Sequence, residues 1–176
     1  VVRIEQGRTD ASPLEWIKQA KELAKTAKKP EHKRFAARRA ELRGVVSEFL
    51  KEDGRKESAF CGVLDGQKVA VVGHSLGGYT VVSSLGTLEG EPVLEGVKSA
   101  VVLSSGFTAW AKGKFGAIKV PLLVAWGENE PEKRRKSGLE DPMDTAWAAF
   151  CEAKGARVAF ELAGGYHLSF STPPET

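Results

Sequence analysis

Apolar runs and amphipathic stretches alternate along the second half of the chain. Short runs rich in β-branched and other apolar residues predict strands at 69–72, 97–103, 118–126 and 157–162. Helix-compatible stretches lie at 79–85 and 144–153. Parallel strands require crossover connections of this kind, so the alternation predicts an α/β fold with a mostly parallel sheet flanked by helices. We expect residues 1–176 to form a single domain.

The first part of the chain follows a helical period. Ser12 and Pro13 are a typical helix start, followed by apolar residues at helical spacing. A second helix is predicted over 31–51, so residues 11–52 form a helical, basic segment inserted before the first strand of the second half. Its cations in the second helix include Lys33, Arg34, Arg38, Arg39 and Arg43. Because glutamates interleave with them and no aromatic set accompanies them, a solvated helix face is favoured over nucleic-acid binding.

A serine between two glycines stands where the strand at 69–72 ends. Gly73, Ser75 and Gly77 form a G-x-S-x-G pattern between a strand and a helix-compatible stretch, which is the context of a nucleophile elbow. So tight a turn predicts that side chains at both glycine positions would clash and that the serine is strained. Amides at the start of the following helix favour negative charge beside the hydroxyl. The alternative is an incidental serine in a glycine-rich turn.

Residues 73–80, with the sequence GHSLGGYT, resemble the elbow of the α/β-hydrolases. With Leu64, Asp65 and the run 68–72, they are most similar to the dienelactone-hydrolase-like and platelet-activating-factor-acetylhydrolase-like esterases, and the resemblance extends over 64–170. It implies a three-layer α/β-hydrolase-like fold and a serine hydrolase that cleaves carboxylic esters through an acyl-enzyme. The implied partner is a small-molecule ester substrate, and no metal or organic cofactor is implied.

A serine nucleophile needs a general base, and the chain offers three histidines. His74 adjoins Ser75 and is expected to point away from it, whereas His32 lies in a charged predicted helix. His167 lies in a glycine-preceded loop after the last predicted strand, and it fits the chain order serine, acid, histidine. His167 is therefore the predicted base, and the alternative is an exposed loop histidine.

The acid that orients the imidazole is predicted at Glu130. In the resembling family a carboxylate, usually aspartate, stands three residues after the glycine that ends the corresponding strand, which here is Gly127. This chain therefore departs from the family by one methylene. The competing carboxylates are Glu128, Asp141 and Asp144. The alternative for Glu130 is a solvated loop residue beside a basic run.

The backbone amide of Leu76 is the predicted oxyanion donor. In the resembling family a second donor comes from a loop after an upstream strand, and residues 1–4 look like the strand after that one. We therefore expect the chain to lack the first part of the usual sheet, either as an N-terminally truncated piece or as a shortened variant. The missing neighbour would leave a sheet edge unpaired, which favours self-association.

Composition adds few constraints. The formal charge of +3 calls for no polyanionic partner, and no nucleic acid is expected. Cys61 and Cys151 lack metal-ligand spacing and are predicted to be isolated buried thiols, with a disulfide between them as the alternative. No apolar run could cross a bilayer and no secretory signal is visible, so a soluble protein is expected, with the cytoplasm slightly favoured. The alternative function is a catalytically impaired α/β-hydrolase-like fragment or binding module.

Overall fold

The computed structural model describes residues 33–105, 114–130 and 142–170. The predicted helix that begins at Ser12, the apolar run 1–4 and His32 lie outside these residues.

Helices and strands alternate along the described chain. The helices are α1 (Lys33–Asp53), α2 (Leu76–Val82) and α3 (Pro142–Glu152), and the strands are β1 (Ala70–His74), β2 (Ser99–Leu103), β3 (Leu122–Gly127) and β4 (Arg157–Leu162). A π-helical turn, Ser83–Thr87, follows α2 directly, and single 3₁₀ turns lie at Phe115–Ala117 and His167–Phe170. The strand predicted from Ile118 begins at Leu122 because the preceding residues close a 3₁₀ turn, in which the Ile118 amide donates to the Phe115 carbonyl.

The four strands form one sheet in the order β1-β2-β3-β4, and every neighbouring pair is parallel. The predicted fold class is confirmed, since a parallel sheet with flanking helices is the arrangement of a three-layer α/β fold. Because all four strands run the same way, their carboxyl ends meet at one edge of the sheet. Ligands of open α/β sheets bind at this edge.

The core lies against one face of the sheet. Strand residues Val71, Ala100, Val102, Leu122 and Val124 are buried there with side chains of α2 and α3. Aromatic residues of the second half of the chain differ in burial. Phe115 and Trp126 belong to the core and Tyr166 is exposed, whereas Trp110 lies outside the described residues.

The opposite face exposes apolar side chains. The strand register puts Val72, Val101, Leu123 and Val158 in one row across the four strands. The outer two members of this row are 64% and 56% exposed, and Phe160 and Leu162 on β4 are also exposed. Exposed apolar side chains grouped on one face of a sheet favour a surface that contacts other polypeptide.

Helix α1 is not uniformly solvated on its basic side, contrary to the sequence prediction. Arg39 is buried, and its guanidinium donates to Glu91 at 2.7 Å and to the Tyr79 hydroxyl at 3.3 Å. The hydrogen bond from Arg39 holds the pKa of Glu91 below its ordinary value. The reason for the error is that α1 packs on α2 through a face that mixes cations with Phe35, whose ring lies edge-on to Tyr79.

Two smaller findings concern the cysteines and the helices. Cys61 and Cys151 are both free thiols, but both are exposed, so the prediction that they are buried is wrong.

No helix in the described part of the chain combines the length and apolarity that a membrane crossing requires.

Candidate active site

Ser75 joins β1 to α2 in a strained conformation, as the elbow pattern predicts. Its φ of 54° and ψ of −118° place a non-glycine residue in a sparsely populated region of backbone space. The Ser75 amide donates to the Leu103 carbonyl at 2.9 Å, and its carbonyl accepts from the Tyr79 amide at 3.2 Å. These bonds fix both ends of the turn, so the hydroxyl is held at the carboxyl edge of the sheet.

The glycines around Ser75 differ in how much space a side chain would have at each position. A Cβ on Gly73 would lie 2.6 Å from the Gly78 nitrogen and closer still to the Gly77 carbonyl, so the predicted clash is confirmed there. A Cβ on Gly77 would meet nothing within 4 Å, and the prediction of a clash at this position is wrong. The second glycine that the turn requires is Gly78, whose Cβ would lie 2.7 Å from that of Ser105.

Each of the four strands delivers one polar side chain to the same place. Ser75 directly follows β1, Ser104 directly follows β2, Glu130 follows β3 by three residues, and His167 begins the 3₁₀ turn beyond β4. Consecutive parallel strands are neighbours in this sheet, so their loops are neighbours too. Three of these four residues are predicted site residues, and Ser104 is an addition.

His167 contacts Ser75 through one ring nitrogen and the acidic side of the site through the other. Its Nε2 lies 2.9 Å from Ser75 Oγ, and its Nδ1 lies 2.6 Å from Ser104 Oγ and 3.2 Å from Glu130 Oε2. An imidazole with its proton on Nδ1 donates toward Ser104 and Glu130, which leaves Nε2 free to accept the Ser75 proton. This is the geometry that a general base requires.

Glu130 is buried, and both of its carboxylate oxygens accept hydrogen bonds. Its Oε1 accepts the Gly127 amide at 2.7 Å, and its Oε2 accepts the Ser104 hydroxyl and faces His167. Burial raises the pKa of this carboxyl, but the hydrogen bonds from His167, Ser104 and the Gly127 amide outweigh burial and leave the pKa of Glu130 below its ordinary 4.5. The side chain is therefore an anion at neutral pH.

The lowered pKa of Glu130 gives a stability prediction. A carboxyl whose pKa is depressed by folding contributes stability that is fully present above its ordinary value of 4.5 and is lost as pH falls through the lower folded pKa. We expect the free energy of unfolding of wild type to decline in this acidic range more steeply than that of Glu130→Gln. Urea unfolding at several pH values measures both slopes, and equal slopes would contradict this account of Glu130.

Backbone contacts bring the loops after β3 and β4 together. The Glu128 amide donates to the Leu162 carbonyl at 3.1 Å, and the Asn129 amide donates to the Gly165 carbonyl at 3.0 Å. A Cβ on Gly127 would lie 2.8 Å from the Tyr166 nitrogen, so a glycine is needed for this approach. The two loops therefore fix Glu130 beside His167.

Glu128, the one competing carboxylate whose side chain is described, does not occupy the position of Glu130. Glu128 is exposed and accepts the Gly164 amide at 2.7 Å, so it ties the two loops together. Asp141 lies outside the described residues, and the side chain of Asp144 is not described.

His74 is a second residue whose place the sequence did not indicate. Its Nε2 donates to the His167 carbonyl at 2.7 Å, and the two rings lie 4.8 Å apart between centroids. His74 thus holds the backbone of His167, the predicted base. The signal for Ser104 and His74 is their position at the carboxyl ends of β2 and β1, where site residues of parallel sheets collect.

Leu76 opens α2, and its amide is one of the first in the helix, which have no intrahelical acceptor. That leaves it available to an oxyanion beside Ser75. Within residues 33–105, 114–130 and 142–170, no three His, Cys, Asp or Glu side chains are grouped as a metal site.

Comparison with protein-family models and with curated proteins gives no match. The functional interpretation therefore depends on the geometry of the residues themselves.

Proposed function

We propose that this protein is a serine hydrolase that cleaves carboxylic esters through an acyl-enzyme intermediate. The observation that carries the proposal is the 2.9 Å contact between Ser75 Oγ and His167 Nε2, with a buried carboxylate on the far side of the imidazole. A nucleophile, a base and an orienting acid in this order are recognised by geometry and role rather than by sequence position. The resemblance to α/β-hydrolase esterases points to the same chemistry.

The reaction follows from these contacts in two halves. In the first, His167 Nε2 takes the Ser75 proton while Oγ attacks the ester carbonyl, and the imidazolium then protonates the departing alcohol. In the second, a water gives one proton to Nε2 and attacks the acyl carbonyl, and the bond to Ser75 Oγ then breaks as the imidazolium returns the proton to Oγ. The acyl group leaves as a carboxylic acid and the serine is restored. In this proposal the Leu76 amide donates to the oxyanion formed in each half.

The charge of Glu130 supports the role of His167 in both halves. When His167 takes a proton, the Glu130 anion stabilises the resulting cation, and the fixed Nδ1 contacts keep Nε2 turned toward Ser75. The exposed fraction of the His167 side chain is 30%, whereas that of Glu130 is 1%, so substrate can reach the base but solvent does not reach the acid.

The experiment that tests the proposal is detection of the covalent intermediate. On mixing with excess p-nitrophenyl acetate, we expect a burst of p-nitrophenol and an acetyl group on the peptide that contains Ser75, identified by mass spectrometry. The matched control is Ser84→Ala, because Ser84 is a buried serine that donates to the Thr80 carbonyl of its own helical segment. Ser84→Ala should acetylate normally. Absence of the adduct in wild type would leave a catalytically impaired scaffold or binding module as the better interpretation.

Self-association through the exposed sheet face is a separate proposal. Strand β1 pairs with β2 on one side and with no described strand on the other, and the exposed face carries Val72, Val158 and Phe160. A second copy of the chain would cover both an unpaired edge and an apolar surface.

We expect Val158→Thr/Phe160→Thr to weaken this association about tenfold, since two apolar side chains would lose burial between copies. Sedimentation velocity over a range of concentrations measures the effect. Val93→Thr is the matched control because Val93 is an exposed loop valine outside the sheet. Wild type that sediments as a monomer at every concentration would contradict the proposal.

A further inference from the structure

Ser104 lies between Glu130 and His167, where it is fully buried and has a strained backbone. Its side chain is buried with none of its surface exposed, and its φ of 52° makes it, with Ser75, one of two non-glycine residues at positive φ in the described chain. Its amide donates to the Ala125 carbonyl at 2.7 Å, so the strained residue is anchored to β3. Strain of this kind persists where the surrounding structure over-determines it, and it is commonest at functional sites.

The Ser104 hydroxyl accepts one hydrogen bond from His167 and donates another to Glu130. A serine hydroxyl has one proton to donate and lone pairs to accept. Here the proton goes to Glu130 Oε2, and the oxygen accepts from His167 Nδ1 at 2.6 Å. The direct distance from His167 Nδ1 to Glu130 Oε2 is 3.2 Å. The hydrogen bond from His167 Nδ1 to the hydroxyl is therefore shorter than the direct contact from Nδ1 to the carboxylate.

We propose that Ser104 is a positioning residue that links Glu130 to His167, so that the acid acts on the base largely through this hydroxyl. The proposal rests on the proposed function, because it assigns a role within the same site. Hydrogen bonds in a chain polarise one another in a low-dielectric site, so a hydroxyl bound to a carboxylate is a better acceptor for the imidazolium proton than an isolated hydroxyl. Ser104 also holds the ring in the tautomer that presents Nε2 to Ser75.

The variants that test the role are Ser104→Gly and Ser104→Ala. Glycine removes the hydroxyl and accepts the positive φ, whereas alanine removes the hydroxyl and keeps the backbone cost of a side chain there. If the hydroxyl is what matters, both should lower kcat for p-nitrophenyl acetate by about 10- to 100-fold with little change in KM, the size expected when one charge-assisted hydrogen bond is lost from the transition state. Ser84→Ala should stay within about twofold of wild type.

The pH profile separates positioning from a merely structural role. Among the described residues, two titratable groups face His167, namely Glu130 from the loop after β3 and His74 from β1. Loss of the Ser104 acceptor destabilises the imidazolium, so the acid limb of kcat/KM should move to lower pH in both variants. An unchanged kcat and an unmoved acid limb in Ser104→Gly would overturn the proposal.

A readout that needs no activity separates this proposal from the proposed function. In protein with ¹⁵N-labelled histidine, proton NMR should show the His167 Nδ1 proton far downfield in wild type and displaced upfield in Ser104→Gly. If wild type hydrolyses no ester but this shift is observed, the proposed function fails and the link through Ser104 stands. If wild type is active and the Nδ1 resonance is the same in both proteins, the link fails and the hydrolase proposal stands.

Discussion

Ser75→Ala is expected to lower kcat/KM for a short-chain p-nitrophenyl ester by about 10⁴- to 10⁶-fold, the range found when a serine nucleophile is removed from a hydrolase. The reason is that His167 would then have no hydroxyl to deprotonate within its 2.9 Å contact, and no acyl-enzyme could form. Steady-state kinetics at neutral pH measures the effect.

The fold of Ser75→Ala should be unchanged, because alanine meets the same backbone cost as serine at this φ and a single partly exposed hydroxyl is lost. Thermal unfolding serves as the check. Ser83→Ala is the matched control, since Ser83 is another buried serine of the same helical region whose hydroxyl donates to the Thr80 carbonyl. Equal hydrolysis by wild type and Ser75→Ala would mean that any esterase activity arises elsewhere.

Gly73→Ala is expected to destabilise the fold by about 3 kcal/mol or more, whereas Gly77→Ala is expected to change stability by less than about 1 kcal/mol. The same methyl group is added to the same turn in both variants. At Gly73 it would lie 2.6 Å from the Gly78 nitrogen and closer to Gly77, and backbone atoms cannot rotate away as a side chain can. At Gly77 it would have open space, in a helix that prefers alanine to glycine.

Chemical denaturation of the two variants measures the difference directly. Activity should follow the same order, because the turn that carries Ser75 must shift in Gly73→Ala and need not shift in Gly77→Ala. Comparable stability of the two variants would show that β1 and α2 do not approach each other as closely as described here.

The parallel sheet could be predicted from the chain because each strand is a short apolar run between turn signals. Strand β4 has the predicted bounds, whereas β3 begins four residues after its predicted start, beyond the 3₁₀ turn Phe115–Ala117, and ends one residue later than predicted. The apolar pattern alone does not show that the strand begins only several residues into the apolar run, after a turn. The elbow was clear because Gly73 and Ser75 must satisfy a local steric constraint that few sequences meet.

Chain order and loop position were sufficient to predict three residues of the site. Ser75, Glu130 and His167 were predicted, and the structure brings them together, although their roles stay predictions until the variants are measured. Ser104 was not predicted because a serine after a strand is common in any sequence. Its contact with Glu130 depends on the pairing of β2 with β3, which the sequence does not show.

The errors have a common physical cause. Arg39 was assigned to a solvated face because glutamates interleave with the cations of its helix, and both cysteines were assigned to the interior because thiols are usually buried. Tertiary packing decides burial in both cases. Arg39 is buried because Glu91 and Tyr79 supply its hydrogen bonds. Gly77 was expected to be sterically required on the basis of its motif, and the requirement belongs to Gly78, which faces Ser105 across the turn.

The most direct test of the account asks whether His167 activates Ser75. A fluorophosphonate probe reacts with an activated serine, and the modified residue can be identified by mass spectrometry of the digested protein. We predict that wild type is modified at Ser75 and that His167→Ala, in which the hydroxyl is intact but has no base, is modified at least about 10³-fold more slowly. Equal rates of modification in the two proteins, or modification at a serine other than Ser75, would contradict the account.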